Sequence, residues 1–267
     1  MFPPNPKNFT VVMLGAGNVA SHLACSLVNA GHKIVQIFGR SKQSTGELAK
    51  KLSCSYTLNV NDIIKDADLY IVAVPDASIG NLAQTLPKLN GIVVHTSGST
   101  PIDTLKVLSN HYGVFYPFQT FSKARKLNLN GIPFCIEASS DEVCTLLFNL
   151  SESVGGKPIK MDSEMRRWLH LSGVFSSNFA NHMFTLAQHI AETKGFSFDL
   201  LKPLISETVS KALELAPVNS QTGPAIRGDL DTIKKHVAML SSINEEWMEV
   251  YRLLSSSIWN SNNSTNQ

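Results

Sequence analysis

The stretch Thr10-Val11-Val12-Met13-Leu14-Gly15-Ala16-Gly17-Asn18-Val19-Ala20 constrains this chain more than any other. A short β-rich run ends in G-x-G-x-x-A, and an apolar-periodic segment continues from Val19 through Leu23, Leu27 and Val28 to Ala30. The order reads as strand, tight turn, helix. In such a unit Gly15 permits the turn, Gly17 lets the backbone approach a pyrophosphate, and Ala20 lets helix and strand pack closely. Free N–H groups and the positive end of the helix dipole then face the anion, which makes Gly15, Ala16, Gly17, Asn18 and Val19 candidate cofactor ligands. A glycine turn with no ligand would look the same locally, so the surroundings must decide. Gly31-His32 ends the helix, Lys33 to Phe38 reads as a second strand, and the whole has the length of a βαβ crossover.

After the second strand comes Gly39-Arg40-Ser41-Lys42. Enzymes that use NAD commonly place an acid here for the ribose 2′-hydroxyl, whereas an arginine accommodates the 2′-phosphate of NADP. There is no acid. Arg40, with Ser41, is expected to meet a phosphate through charge-assisted hydrogen bonds, the alternative being a solvated basic loop. Ser44 to Leu52 carries helix formers after a capping serine, and Asn61 to Lys65 reads as another short helix. Leu69 to Val74 is a continuous apolar run, as expected of a strand buried on both faces, and it ends at Val74-Pro75, where a nicotinamide half would cross the sheet edge. Gly91 to His95 is the next strand, followed by a small hydroxyl-rich loop in which Ser97 and Gly98 are candidates for lining nicotinamide or substrate. His95 itself reads more readily as a structural histidine. Val114 to Ser122 is aromatic and short, Ile132 to Glu137 resumes a strand pattern, Asp141 to Ser153 reads as a helix, and Lys157 to Lys160 as an edge strand.

From Asp162 the β-rich runs stop. Asp162 or Ser163 would cap a helix of about 30 residues running to Gly195, some 45 Å long, with apolar residues on most faces. Such a helix needs cover, and a second copy of the chain is one way to supply it, so a homodimer is expected. Helices follow at Phe198 to Glu214, Asp229 to Leu240 and Ile243 to Ile258. The fold class is therefore α/β: a Rossmann-type, mostly parallel sheet over residues 1–160, an all-helical domain over 161–260, and a Ser/Asn-rich disordered tail over 261–267.

The bulk numbers exclude several classes. With 267 residues, 43% hydrophobic, 16% charged and a net charge of +2, the chain has no basic excess for nucleic acid or a membrane surface. Residues Met1 to Asn8 lack the apolar centre of a signal peptide, and no apolar run is long enough to span a bilayer, so a cytoplasmic location is expected. Cys25, Cys54, Cys135 and Cys144 show no C-x-x-C spacing and read as reduced, buried thiols; no metal site is expected.

Two clusters offer chemistry. At 100° per residue, His170, Ser177 and Asn181 fall near one line of the long helix, with Asn178 at its edge. His170 is a candidate proton donor, as histidine side chains commonly are near neutral pH, with Asn178 in support; a structural histidine is the competing reading. The second cluster is Thr222-Gly223-Pro224-Ala225-Ile226-Arg227-Gly228-Asp229, a stiff turn that presents Arg227 for a bidentate grip on a substrate carboxylate, with Thr222 beside it. An intramolecular Arg227–Asp229 pair is the alternative, and Arg167 is a reserve cation for the carboxylate.

Taken together, Gly15 to Ala20, Ala73-Val74-Pro75-Asp76, His95-Thr96-Ser97-Gly98, Tyr116-Pro117-Phe118-Gln119-Thr120-Phe121-Ser122, His170 with Ser176-Ser177-Asn178-Phe179, and Thr222-Gly223-Pro224 with Arg227-Gly228-Asp229 resemble one bacterial family over nearly the whole chain. That family joins a Rossmann-like domain to a helical C-terminal domain of undefined function, and its members are predicted NADP-dependent oxidoreductases. In architecture it is similar to 6-phosphogluconate and β-hydroxyacid dehydrogenases, pyrroline-5-carboxylate reductase and ketopantoate reductase. The resemblance implies NADPH-dependent hydride transfer to a carbonyl of a small carboxylate, with 2-dehydropantoate the first substrate to consider. Imine reduction of the pyrroline-5-carboxylate type and a non-catalytic NADPH-sensing role are the alternatives. The chain departs from the β-hydroxyacid dehydrogenase pattern of a helix lysine with an asparagine four residues on: Val174 follows His170 at that spacing.

Overall fold

The computed structural model describes residues 8–264. The chain runs β1 (Thr10–Leu14), α1 (Asn18–Asn29), β2 (Lys33–Phe38), α2 (Lys42–Leu52), β3 (Ser55–Thr57), β4 (Leu69–Val72), α3 (Asp76–Thr85), β5 (Ile92–His95), β6 (Tyr112–Pro117), β7 (Pro133–Ala138), α4 (Asp141–Ser153) and β8 (Lys157–Lys160). The strands form one sheet in the order β3-β2-β1-β4-β5-β6-β7-β8. The first six are parallel to one another, β7 runs antiparallel to β6, and β8 is parallel to β7. Because β1 sits between β2 and β4, the strand order reverses there, and a crevice opens beyond the carboxyl ends of these strands.

Burial follows from sequence. β4 and β5 are buried at every residue, as continuous apolar strands covered on both faces must be. One core lies under α1, α2 and α4 and includes Leu23, Leu27, Leu48, Val143 and Leu146; the other lies under α3 and includes Ile79, Ala83, Leu105 and Leu108. The expected helix over Asn61 to Lys65 is only a 3₁₀ turn at Val60–Asp62, capped by Asn59, since Ile63 is drawn into the second core and leaves helical geometry. All four cysteines are free thiols, but only Cys135 is buried as expected; Cys25, Cys54 and Cys144 are partly exposed.

Helix α5 (Ser163–Gly173) begins at Asp162, whose side chain accepts the Met165 N–H. It does not continue as one α-helix. Residues Val174–Phe179 form a π segment, and α6 (Ala180–Thr193) follows. Each π turn takes an additional residue, so the 100° projection fails beyond Gly173 and His170, Ser177 and Asn181 do not share a line. The chain divides into two compact units, Met1–Asn178 and Phe179–Gln267. The first reaches past residue 160 because α5 is tied to the sheet through its own buried arginine. Arg166 is fully buried; its Nη1 donates to Glu137 Oε2 on β7, and its Nη2 donates to the Thr100 carbonyl at 2.6 Å and to Ser163 Oγ at 3.0 Å. Ser163 Oγ in turn donates to Glu137 Oε2 at 2.7 Å.

The second unit holds α6, a 3₁₀ turn at Phe198–Leu201, α7 (Lys202–Leu215), two short helices α8 (Pro217–Ser220) and α9 (Pro224–Arg227), α10 (Leu230–Ser241) and α11 (Glu245–Ser264). His189 stacks on Trp247, and the His236 Nδ1 and Tyr251 hydroxyl lie 2.8 Å apart between α10 and α11. The tail expected to be disordered from residue 261 is helical to Ser264; residues 265–267 lie outside the described residues. No helix among the described residues is long and apolar enough to cross a membrane.

Breaking a buried ion pair from one side leaves the other charge stranded. Arg166→Met is therefore expected to lower the stability of the first unit by about 3–5 kcal/mol in urea unfolding, and Arg166→Met combined with Glu137→Leu by less than the single change.

Candidate functional site

The crevice begins at the turn after β1. Gly15 has φ +131°, and a Cβ there would lie 2.2 Å from the Ala73 carbonyl at the end of β4, so both the backbone angle and the neighbouring strand demand glycine. Gly17 is different. Its φ of −78° suits any residue, and a Cβ would meet nothing within 4 Å. The protein itself has no need of glycine at 17, but a group lying on the turn would. Helix α1 starts at this point with no side-chain cap, leaving its first N–H groups open to the crevice. One N–H of the Asn18 side-chain amide is engaged beside them, its Nδ2 donating to the Phe121 carbonyl at 2.9 Å.

A cleft of about 790 Å³ runs from this turn over the ends of β2 and β4, past Gly39, Arg40 and Ser41 on one side and Val74, Pro75 and Ser78 on the other. Arg40 is exposed on its wall. Ser41 lines the same wall and also caps α2, accepting the Ser44 N–H at 3.3 Å. Thr45 is wholly buried at the edge against Gly39, its hydroxyl without a hydrogen-bond partner among the described residues. The uncapped helix, the space at Gly17 and the cation at Arg40 fit a phosphorylated dinucleotide.

Further along the strand ends, β4, β5 and β6 bring Val74-Pro75, Ser97-Gly98 and Tyr116 side by side. Ser97 does not line an open surface as expected: it is 3% exposed, and its Oγ accepts the N–H groups of Ser99 at 3.1 Å and Thr100 at 2.9 Å, holding the turn. Ser99 Oγ donates to Asp76 at 2.6 Å and ties that turn to the start of α3. Gly98 is the seat of His170. A Cβ at 98 would fall 2.6 Å from His170 Nδ1 and 2.9 Å from its Cβ.

The partner of His170 is Tyr116, not Asn178. Tyr116 Oη and His170 Nδ1 lie 3.0 Å apart, whereas Asn178 is exposed on the π segment. Burial pushes the Tyr116 phenol up to about 12, with Cys135 and Asp76 reinforcing the shift and Arg166 opposing it. Tyr116 thus keeps its phenolic proton, and its hydroxyl and Nδ1 are hydrogen-bond partners that orient the ring, leaving Nε2 as the other ring nitrogen. Phe118 packs into the space left by Gly173, so the aromatic run after β6 is the bed on which α5 lies. That run was visible in sequence; its pairing with a histidine more than fifty positions on was not. Arg167 is exposed, its neighbour Arg166 having taken the buried place.

In the second unit, Gly223 at φ +110° and Gly228 at φ +67° bracket α9, which carries Arg227. Asp229 caps α10 by accepting the Thr232 N–H at 3.1 Å, and that bond, helped by the nearby Arg227 charge, holds its carboxyl below the ordinary range. Arg227 and Thr222 are both exposed, and Arg227 makes no ion pair among the described residues.

With this geometry in hand, comparison with known proteins is informative. A family model described as a Rossmann-like domain matches residues 4–116, and one described as a domain of unknown function, DUF2520, matches residues 132–258. A candidate NADP oxidoreductase from Bacteroides fragilis is 39% identical over 95% of this chain and 99% of its own, with a TM-score of 0.88. The chain belongs to that oxidoreductase family. Pyrroline-5-carboxylate reductase from Streptococcus pyogenes shares the fold at 14% identity, over 97% of this chain and 99% of its own (TM-score 0.62). So does a reductive aminase from Aspergillus terreus, at 12% identity over 94% and 93% (TM-score 0.68). Among curated protein sequences none matches.

His95 supplies a pH signature. It is completely buried at the end of β5, and burial, with the Arg166 charge, lowers its imidazole to about 4 against the opposing pull of Asp76 and the Pro101 backbone. Between pH 4 and 6.5 the unfolded chain then binds a proton that the folded chain refuses, so this contribution is complete above pH 6.5 and is lost as pH falls toward 4. His95→Gln is expected to flatten the loss of urea stability between pH 6.5 and 4, relative to the unsubstituted protein.

Proposed function

We propose that this oxidoreductase is an NADPH-dependent reductase acting on a carbonyl of a small carboxylate, with 2-dehydropantoate as the first candidate. The observation that carries the reading is the cleft wall itself: a glycine turn with room at Gly17, and after β2 an arginine where an NAD enzyme would carry an acid. Gly15 to Val19 would hold the pyrophosphate and Arg40 with Ser41 the 2′-phosphate, while Val74, Pro75 and the Gly98 turn flank the nicotinamide. NADPH, when bound, supplies the hydride.

The chain's own residues handle the proton. His170, seated on Gly98 and oriented by Tyr116, donates a proton from its imidazolium form to the oxygen that becomes a hydroxyl and is left as neutral imidazole. Tyr116 takes the supporting place expected of Asn178. Within the second unit Arg227, exposed and without an ion-pair partner among the described residues, with Thr222 nearby in sequence, is proposed as a carboxylate-binding group. Reduction of a cyclic imine is the second reading, favoured by whole-chain likeness in fold to a pyrroline-5-carboxylate reductase and a reductive aminase.

A homodimer is part of the proposal. Within the second unit Leu213 is 83% exposed, Leu253 71% and Val218 70%, more apolar surface than a helical unit leaves in water without a partner. Sedimentation equilibrium is expected to give twice the chain mass, and a monomer at micromolar concentration would remove this element.

Fluorescence titration with NADPH and with NADH tests the cofactor. NADPH is expected to bind at least tenfold more tightly, and Arg40→Ala to abolish most of that preference while leaving NADH affinity unchanged. Turnover is then read as NADPH oxidation with 2-dehydropantoate or cyclic imines. His170→Gln should lower kcat roughly 10²-fold with cofactor affinity retained. Tight NADPH binding without oxidation under any carbonyl or imine would favour a sensor, and binding of neither nucleotide would sink the reading.

A further inference from the structure

Among the described residues that line the cleft over the glycine turn, two are charged, Arg40 and Lys123, and none is acidic. They reach it from different directions. Arg40 follows β2, whereas Lys123 comes from the segment beyond β6, more than a hundred positions after the turn it touches. Its Nζ donates to the Ala16 carbonyl at 2.8 Å, inside the glycine turn. An ammonium has three N–H donors and Ala16 engages one, so two remain. Lys123 makes no ion pair among the described residues.

The segment that carries Lys123 is fastened down. The Phe121 carbonyl accepts from Asn18 Nδ2 and the Ser122 carbonyl lies 2.9 Å from His22 Nε2, both on α1, while the Phe121 ring packs against His22. Three consecutive residues are thus bound to the turn and to the first turns of the helix, so the ammonium is held in place before any ligand arrives, which spares the ordering cost of a free lysine. A dinucleotide phosphate bears negative charge at two places, the pyrophosphate and the 2′-phosphate. The cleft offers two cations, one at each.

Resting on the NADPH reading above, we propose that residues 121–123 form a strap across the glycine turn and that Lys123 binds the pyrophosphate. This assigns the two cations different jobs. Arg40 discriminates between nucleotides, since only NADPH has a 2′-phosphate, whereas Lys123 serves the pyrophosphate that both nucleotides share.

The test is titration of the full chain with NADPH and with NADH for Lys123→Gln, Lys126→Gln and Arg40→Ala. Glutamine keeps an N–H donor for the Ala16 carbonyl and removes only the charge, so the strap stays fastened; an unchanged thermal midpoint without nucleotide checks this. Lys126 lies in the same loop but lines a neighbouring groove rather than the cleft, and controls for the general loss of positive charge. Lys123→Gln is expected to weaken NADPH and NADH equally, by about 10- to 100-fold, with Lys126→Gln within about twofold of the unsubstituted protein. Affinities unmoved in Lys123→Gln, a loss confined to NADPH, or an equal loss in Lys126→Gln would each overturn the assignment while leaving the cofactor reading intact. Failure of the unsubstituted chain to bind either nucleotide would overturn both.

Discussion

The Arg166–Glu137 pair is the interaction on which the candidate site depends. It joins the first turn of α5 to β7 and, through the Thr100 carbonyl and Ser163, to the turn after β5. Without it no ion pair would fix the helix register against the sheet, and the ties of α5 to the strands would be hydrogen bonds of Ser163 and Tyr116 and aromatic packing. The guanidinium's planar fork suits this task, reaching a carboxylate, a carbonyl and a hydroxyl in one plane where a lysine would reach fewer. The same cation also depresses His95, so the anchor leaves a trace in the titration behaviour of the strand beside it.

Much of the first unit was legible because its signals are local. The glycine turn, the continuous apolar strands, the cap at Asp162 and the missing acid after β2 are each set by neighbours within a few positions, where propensity and periodicity apply. What escaped was long-range. Nothing around Arg166 distinguishes it from Arg167 until the sheet is assembled and one of the two is enclosed. Tyr116 and His170 meet only because β6 and α5 converge on Gly98, and Lys123 meets Ala16 only because the segment after β6 returns to α1. The π segment defeated the helical projection for a different reason: its extra residue is a property of backbone hydrogen bonding that side-chain periodicity does not encode.

Two glycines of the fingerprint illustrate how the same residue type answers different demands. Gly15 is required by the protein's own backbone, with the Ala73 carbonyl where a side chain would begin. Gly17 is required by nothing in the protein. The first belongs to folding and the second to what the fold accommodates, a distinction that the motif written as letters cannot make.

The seating of His170 on Gly98 carries an evolutionary consequence. Any side chain at 98 would occupy the volume of the imidazole, and any replacement of Tyr116 would release the ring from its orientation. Positions 98, 116 and 170 therefore form a single locked trio, in which one change alone meets a steric or hydrogen-bonding penalty that only a matching change elsewhere relieves. A lineage of this family that replaces His170 has to cross that valley through compensated pairs, so its trajectories are few and ordered.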